Sequence, residues 1–157
     1  MSTALAFESE EIKKKIIGTL GLKASDMKPR DRDKGMLTFD AVIRKGIPYT
    51  KLRLVKAALN LSDNEFADYL GISLRTLQRK RDSHERLSIS EGDRLFRMAR
   101  IFALAVAVLE NEETARQWLH RAQRGLGGRT PIQVIQTEAG AQEVEDLLEK
   151  IEYGVLV

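Results

Sequence analysis

Residues 62–81, SDNEFADYLGISLRTLQRKR, decide the fold, because they have the pattern of two short helices joined by a tight turn. Ser62 and Ser73 are favourable N-cap residues for the first and second helix. Gly71 lies between them, where a tight turn needs a residue that tolerates positive φ. The apolar side chains expected to face inward are Phe66, Ala67, Leu70, Leu74 and Leu77. The stretch therefore predicts a helix-turn-helix, with a second helix free to enter a DNA major groove.

The second helix, residues 74–81, has four cations and no acid. Arg75 and Arg79 lie one turn apart and can pair with guanine, and Gln78 can pair with adenine. Ser73 and Thr76 lie at the helix start, where hydroxyls and backbone amides contact phosphate, and we expect Lys80 and Arg81 to contact phosphate too. Lys51 and Arg53 on the preceding helix are candidates for further phosphate contacts. The predicted DNA-binding residues are Ser73, Arg75, Thr76, Gln78, Arg79, Lys80 and Arg81. The alternative is a helical hairpin with a basic face in solvent. Because one such motif reads few base pairs, specific binding suggests a homodimer on double-stranded operator DNA.

Composition is that of a soluble globular protein. The chain has 157 residues, 43% hydrophobic and 31% charged, with net charge +3 and no cysteine, which excludes disulfides and thiol catalysis. No signal peptide is recognisable, and the longest apolar run, residues 101–109, is far below the ~20 residues that span a bilayer. We therefore expect a cytoplasmic protein without a membrane partner.

The rest of the chain predicts further helices and no convincing strand, so the expected fold class is all-α. Residues 1–38 form a lead-in with one short helix and a polar linker, and could serve dimerisation. Residues 39–46 fit a helical turn or a short strand equally well. The remaining helices are expected to start after Pro48, to cover residues 94–110 and 112–124, and to start again after Thr130 and Thr137. Asn111 either ends the first of the two middle helices or caps the second. The apolar run at residues 101–109 is expected to be surrounded by other helices, and the residues of 112–124 expected to face inward are Ala115, Trp118, Leu119 and Ala122. The predicted division is 1–38, a DNA-binding region at 39–90 and a helical domain at 91–157.

Catalytic and cofactor motifs are missing from the sequence. GLGGRT at residues 125–130 lacks the lysine and the spacing of a phosphate-binding loop, and it follows a predicted helix instead of a strand. His84 and His120 have no acid or hydroxyl at a diagnostic spacing. No metal-ligand pattern is present. We therefore expect neither an enzyme nor a cofactor or metal site.

The end of the chain, GGRTPIQVIQTEAGAQEVEDLLEKIEYGV at residues 127–155, resembles the toxin-binding module of Xre/MbcA/ParS antitoxins. The helix-turn-helix resembles the Xre-like half of the same proteins. The resemblance implies a partner toxin of the RES type that degrades NAD, an antitoxin that blocks its active site, and repression of the shared promoter.

The last twenty residues are acidic, with six acids against Lys150 alone. A pocket that holds the pyrophosphate of NAD is expected to be cationic, so this end is predicted to enter or cover the toxin cleft. Arg129 has two interpretations: it satisfies helix C-terminal carbonyls within the domain, or it reaches a toxin carboxylate. The predicted toxin-binding residues are Arg129, Glu149, Glu152, Tyr153, Val155, Leu156 and Val157.

The competing hypothesis is a free-standing dimeric transcriptional repressor whose C-terminal bundle serves only for oligomerisation. Two apolar surfaces are candidates for the dimer contact. One is the stripe Ile12, Ile16 and Leu20, and the other is the run at residues 101–109.

Overall fold

A computed structural model of the protein describes residues 9–27 and 36–155. Within these ranges the chain is helical, with nine α-helices and no strand, which confirms the all-α expectation. The helices are α1 Glu10–Thr19, α2 Leu37–Lys45, α3 Leu52–Leu59, α4 Asp63–Leu70, α5 Leu74–Arg81, α6 Ile89–Leu109, α7 Glu112–Leu119, α8 Pro131–Val134 and α9 Glu138–Glu152. Short 3-10 turns occur at Ala24–Asp26, Tyr49–Lys51 and Arg124–Leu126.

The described residues form two compact units. The first is Ile16–Phe96, and the second combines residues 9–15 with residues 97–155. The division falls inside α1 and inside α6. The segments predicted from sequence, 1–38, 39–90 and 91–157, follow the functional motifs instead of these packing units, and they stay a prediction.

The helix-turn-helix of the first unit forms as the sequence predicts. Ser62 accepts a hydrogen bond from the Glu65 amide, and the Glu65 side chain accepts one from the Ser62 amide, which satisfies two free donors at the start of α4. Gly71 ends α4 with φ of +71°, and a Cβ there would lie 2.5 Å from Nη1 of Arg94. That nitrogen donates to the Leu70 carbonyl at 2.7 Å, so the turn is closed by a side chain as well as by glycine conformation.

Two further elements of this unit sharpen the sequence prediction. Residues 39–46, left open between helix and strand, belong to helix α2. Pro48 precedes the 3-10 turn Tyr49–Lys51 and does not start an α-helix directly, because the backbone around it pairs with the segment before α6. The Tyr49 amide donates to the Glu85 carbonyl at 3.1 Å, and the Leu87 amide donates to the Ile47 carbonyl at 2.7 Å.

Helix α6 starts earlier than predicted. Ser88 and Glu91 exchange backbone-to-side-chain hydrogen bonds of 3.0 and 3.1 Å, which places the start at Ile89 instead of at residue 94. The helix is buried from Leu95 to Ala99 and from Ile101 to Ala105, but Ala107 is exposed, so the apolar run is not surrounded along its whole length as expected.

The helix after Asn111 is shorter than predicted. Asn111 caps α7 by accepting from the Thr114 amide at 2.8 Å, which is one of its two expected roles, but α7 ends at Leu119 instead of at residue 124. Ala122, expected to face inward, is exposed, and Trp118 is half-buried. The Thr130 and Thr137 caps are confirmed at the starts of α8 and α9.

The stripe Ile12, Ile16 and Leu20 is buried within the single chain. It is therefore not an exposed dimer surface in this structure. Among the described helices, none combines the length and the apolar composition needed to cross a membrane.

Candidate nucleic-acid interface and C-terminal surface

The start of α5 is fixed by its own hydroxyls. Ser73 Oγ accepts from the Thr76 amide at 3.0 Å and donates to Thr76 Oγ1 at 2.8 Å. Leu77 anchors the helix inward and is almost fully buried. Ser73 is exposed and Thr76 half-buried, so the two hydroxyls lie at the accessible helix start while they hold its conformation.

The predicted base-reading side chains point outward. Arg75 and Gln78 are exposed, and neither side chain has a hydrogen bond or ion pair with the residues that the structure describes. The Arg79 side chain is 64% exposed and lies 3.9 Å from Glu85, a distance at which an exposed pair contributes little. These three side chains are one helical turn apart or less, so the face of α5 that carries them is available to a ligand.

The last two cations of α5 are held by neighbours. Lys80 lies 5.3 Å from the ring centre of Tyr49 and 3.8 Å from Glu85. Arg81 donates to Asp63 at 3.0 Å. Each of these cationic side chains is only 24% exposed, so a phosphate would compete with a partner already in place.

Tyr49 supports this end of α5 from inside the unit. It is fully buried and donates a hydrogen bond to Glu91. Burial, followed by that hydrogen bond, raises the pKa of Tyr49 far above its usual value, so the phenol stays protonated. Burial alone would raise the pKa of Glu91, but hydrogen bonds from Tyr49 and Ser88 outweigh it and hold that pKa below its ordinary value. The pair therefore forms a fixed donor and acceptor beneath Lys80.

A basic groove beside α5 contains Arg53 and Arg81, which the sequence suggested as phosphate contacts, but the groove itself was not predicted as a site. Its volume is about 410 Å³, and its lining residues are Arg53, Lys56, Ala57, Asn60, Leu61 and Arg81. The sequence signal is the pair Arg53 and Lys56, which lie three residues apart and so share one face of α3. Lys51, the other cation of this segment, has a structural role because its ammonium group donates to the Gly21 carbonyl just after α1, at 2.6 Å.

Two of the six acids near the C-terminus are used inside the second unit. Glu138 pairs with Arg97 and with Arg100, each at 2.9 Å. Glu145 is buried and pairs with Arg100 at 3.0 Å. Burial alone would raise the pKa of Glu138, but the two arginines lower it below its ordinary value, whereas burial raises the pKa of Glu145 despite Arg100. The charge that α9 offers to a partner is therefore smaller than the sequence suggests.

The end of α9 is the accessible part of the predicted toxin surface. Tyr153 is 54% exposed, Val155 is 53% exposed and Glu152 is exposed, while Glu149 is half-buried. The Val155 amide donates to the Lys150 carbonyl at 2.9 Å, which closes the helix end. Leu156 and Val157 lie outside the described residues.

Arg129 is exposed, and its side chain has no partner among the described residues. The carbonyls that it was expected to satisfy are bonded instead by Gln123, whose Nε2 donates to Trp118 and Arg121 at 3.3 and 3.2 Å. The structural interpretation of the Arg129 side chain is therefore wrong for the described part of the chain. Arg121 and Arg124 are also exposed, and they were not predicted.

Two family profiles match the chain. One describes the antitoxin Xre-like helix-turn-helix domain and covers residues 38–100. The other describes the antitoxin Xre/MbcA/ParS C-terminal toxin-binding domain and covers residues 104–154. Together they contain every predicted site residue up to Tyr153, leaving Val155, Leu156 and Val157 beyond the matched range.

Curated relatives agree with these profiles. An antitoxin Xre of Pseudomonas putida is 39% identical over 83 residues, which are 53% of this chain and 52% of the relative, so only about half of that relative is matched. An antitoxin Xre of Photorhabdus laumondii is 28% identical over 74% of this chain and 80% of its own length. A Prs ADP-ribosylating antitoxin of a Sphingobium species is 28% identical over 72% of this chain and 77% of its own length. The chain belongs to the Xre/MbcA/ParS antitoxin family, with an Xre-like helix-turn-helix domain followed by a C-terminal toxin-binding domain.

Proposed function

We propose that this protein is an antitoxin that binds and blocks a RES-type, NAD-degrading toxin and represses its own operon by binding operator DNA as a homodimer. The observation that carries the proposal is the presence, in one chain, of an outward-facing cationic helix α5 within the Xre-like domain and an exposed apolar end of the toxin-binding domain. Each surface suits a different partner.

The toxin side is supported by the chemistry of the α9 end. A site that holds NAD must hold a pyrophosphate, for which cationic groups are the natural partners. Glu152 and the half-buried Glu149 offer carboxylates, and Tyr153 and Val155 offer exposed apolar area beside them. The name of the Sphingobium relative connects that protein with ADP-ribosylation, a reaction that also consumes NAD. The test should therefore measure both the loss of free NAD and the ADP-ribosylation of other molecules.

Removal of residues 153–157 tests the toxin side. These residues follow the last residue of α9, so every residue of the helix itself is retained. Cells that co-express the shortened chain with the toxin encoded beside it should lose protection, and NAD should be consumed. Glu143→Gln, at another exposed acid of α9, is the matched control and should protect fully. Complete protection by the shortened chain would contradict the role of the tail but not the antitoxin role.

The double variant Arg75→Ala with Arg79→Ala tests the DNA side. Each bidentate arginine contact with guanine is worth about 1–3 kcal/mol, so loss of both should lower operator affinity at least about thirtyfold. Toxin neutralisation should be unchanged. Arg44→Ala, an exposed arginine of α2 paired with Asp40 at 2.9 Å, is the control in the same unit. Loss of both activities would show that the two functions do not lie on separate surfaces.

Co-purification with the product of the adjacent gene separates this proposal from a free-standing repressor. Both hypotheses expect DNA binding, so an operator gel shift does not distinguish them. A stable complex with a neighbouring NAD-consuming protein supports the antitoxin, and its absence when both proteins are co-expressed supports the repressor.

A further inference from the structure

The basic groove has one carboxylate against three cations. Asp63 lies 2.6 Å from the Lys56 ammonium group and 3.0 Å from the Arg81 guanidinium. Arg53 is exposed and has no partner among the described residues. The hydrogen bond from Lys56 lowers the pKa of Asp63, and burial only partly opposes it, so the carboxylate is ionised at neutral pH. With Asp63 counted, the groove keeps an excess of two positive charges.

The lining of the groove suits an oxyanion better than it suits an apolar ligand. Two guanidinium groups and one ammonium group supply donors, and the Asn60 side chain is exposed at the same cavity. Among the described residues no aromatic ring lines the groove, so nothing there would stack on a base or hold an apolar anchor. Arginine forks match the geometry of phosphate oxygens.

The groove also lies at a suitable distance from the base-reading residues. Arg81 belongs both to α5 and to the groove, and it follows Arg75 by six residues. At about 1.5 Å per residue, the two positions are ~9 Å apart along the helix. The major groove of B-DNA is about 12 Å wide, so a helix that contacts bases near Arg75 brings its other end towards the bordering phosphates.

We propose that the groove of Arg53, Lys56 and Arg81 binds one backbone phosphate at the edge of the operator major groove, and that Asp63 holds Lys56 and Arg81 until this phosphate replaces it. The inference rests on the proposed DNA binding and adds a contact that precedes α5 in the chain. It also gives Asp63 a role as an internal competitor that limits affinity.

Two variants test the exchange in opposite directions. Arg53→Gln removes an exposed cation and should leave the fold unchanged. It should weaken binding about three- to tenfold on the operator and on a mixed-sequence duplex alike, and lower the slope of log affinity against log salt by about one. Asp63→Asn removes the competitor and should tighten binding to both duplexes. Arg44→Gln should change neither affinity nor slope.

The possible outcomes distinguish failure of the groove proposal from failure of the proposed function. If the unaltered full-length protein binds no DNA from its own promoter, repression itself is overturned and the groove proposal with it. If the unaltered protein binds but Arg53→Gln keeps the same affinity and salt slope, only the groove proposal is overturned.

A second arm uses inorganic phosphate as the probe, because free phosphate shares the chemistry of the DNA backbone. Phosphate should compete with duplex DNA for the unaltered protein more strongly than sodium chloride of equal ionic strength does, and Arg53→Gln should remove the difference. Arg53-dependent phosphate binding with no effect on DNA affinity would identify a small-anion site and overturn the DNA assignment.

Discussion

Gly140 is the residue whose identity is set most directly by packing. A Cβ at this position would overlap the Val134 carbonyl oxygen and lie 2.8 Å from the Val134 carbonyl carbon, which is backbone and cannot rotate away. The Gly140 amide also donates to Thr137 Oγ1 at 3.0 Å. The Thr-x-x-Gly spacing therefore serves two needs at once, a helix cap and a close approach between the start of α9 and the end of α8.

Gly140→Ala should destabilise the second unit by about 2–3 kcal/mol, because relief of the overlap requires movement of backbone. Chemical denaturation followed by circular dichroism measures this change. Toxin binding should weaken with it, since α8 and the start of α9 belong to the matched toxin-binding domain.

Gly18→Ala is the matched control for this substitution. Gly18 is an exposed glycine inside α1, and a Cβ added there would meet no atom within 4 Å, so alanine fits freely. It should stabilise the protein by about 0.5–1 kcal/mol, the usual helix preference for alanine. Equal effects of the two substitutions would contradict the steric explanation.

The role of the Arg129 side chain could not be predicted from the sequence. Its position next to a turn suggested a guanidinium that satisfies carbonyls, yet the Gln123 amide does so. Both side chains can donate, and their sequence positions do not say which one turns inward. The outward direction of Arg75 was predictable because helical periodicity alone places it on the side of α5 opposite Leu77.

The acids of helix α9 have two different roles. Glu138 and Glu145 point to Arg97 and Arg100 of α6, whereas Glu152 is exposed at the end. A count of acids along the sequence treats these groups alike. Only tertiary packing distinguishes a carboxylate that holds the domain together from one that faces a partner.

Glu138→Gln should make the free energy of unfolding depend less on pH in the acidic range. The pKa of Glu138 in the folded state is lowered from its ordinary value of 4.5, so its contribution is fully present above that value and is lost as pH falls through the folded-state pKa. The difference in unfolding free energy between the unaltered protein and the variant should therefore be largest near pH 7 and shrink as pH falls below 4.5. Urea unfolding at several pH values measures it, and a difference that grows on acidification would contradict the assignment.

Most capped helix starts were predictable from sequence, the start of α6 being an exception, and helix ends were less so. Ser62, Ser73, Thr130 and Thr137 all cap as predicted, because a side-chain oxygen three residues before an amide is a local signal. The end of α7 was predicted five residues too late, because the sequence after Leu119 keeps helical composition. The basic groove was missed for a related reason, since α3 and α5 are brought together only by the fold.

In the molecule as a whole, the two units have net charges of opposite sign. Ile16–Phe96 has sixteen Lys and Arg against eleven Asp and Glu, a net charge of +5, while the remainder of the chain has ten against twelve, a net charge of −2. The overall charge of +3 hides this difference. The unit that contains α5 is the cationic one, as contact with a polyanion requires.

Operator binding should therefore weaken strongly with salt. A rise from about 50 to about 200 mM NaCl should lower the affinity of the protein at least tenfold, because bound phosphates release their counterions. Fluorescence anisotropy with labelled promoter DNA measures the dependence. Affinity that is independent of salt would contradict an interface built on Arg75, Arg79 and the neighbouring cations.

Trp118, half-buried on α7, is the only tryptophan in the sequence, and it belongs to the second unit. Its emission is therefore an intrinsic optical reporter of the toxin-binding half, and no label or substitution is needed. DNA added to the free protein should leave this emission unchanged if α5 acts alone. A spectral shift on DNA addition would instead be a direct signal that DNA binding is communicated to the unit that contains the toxin-binding domain.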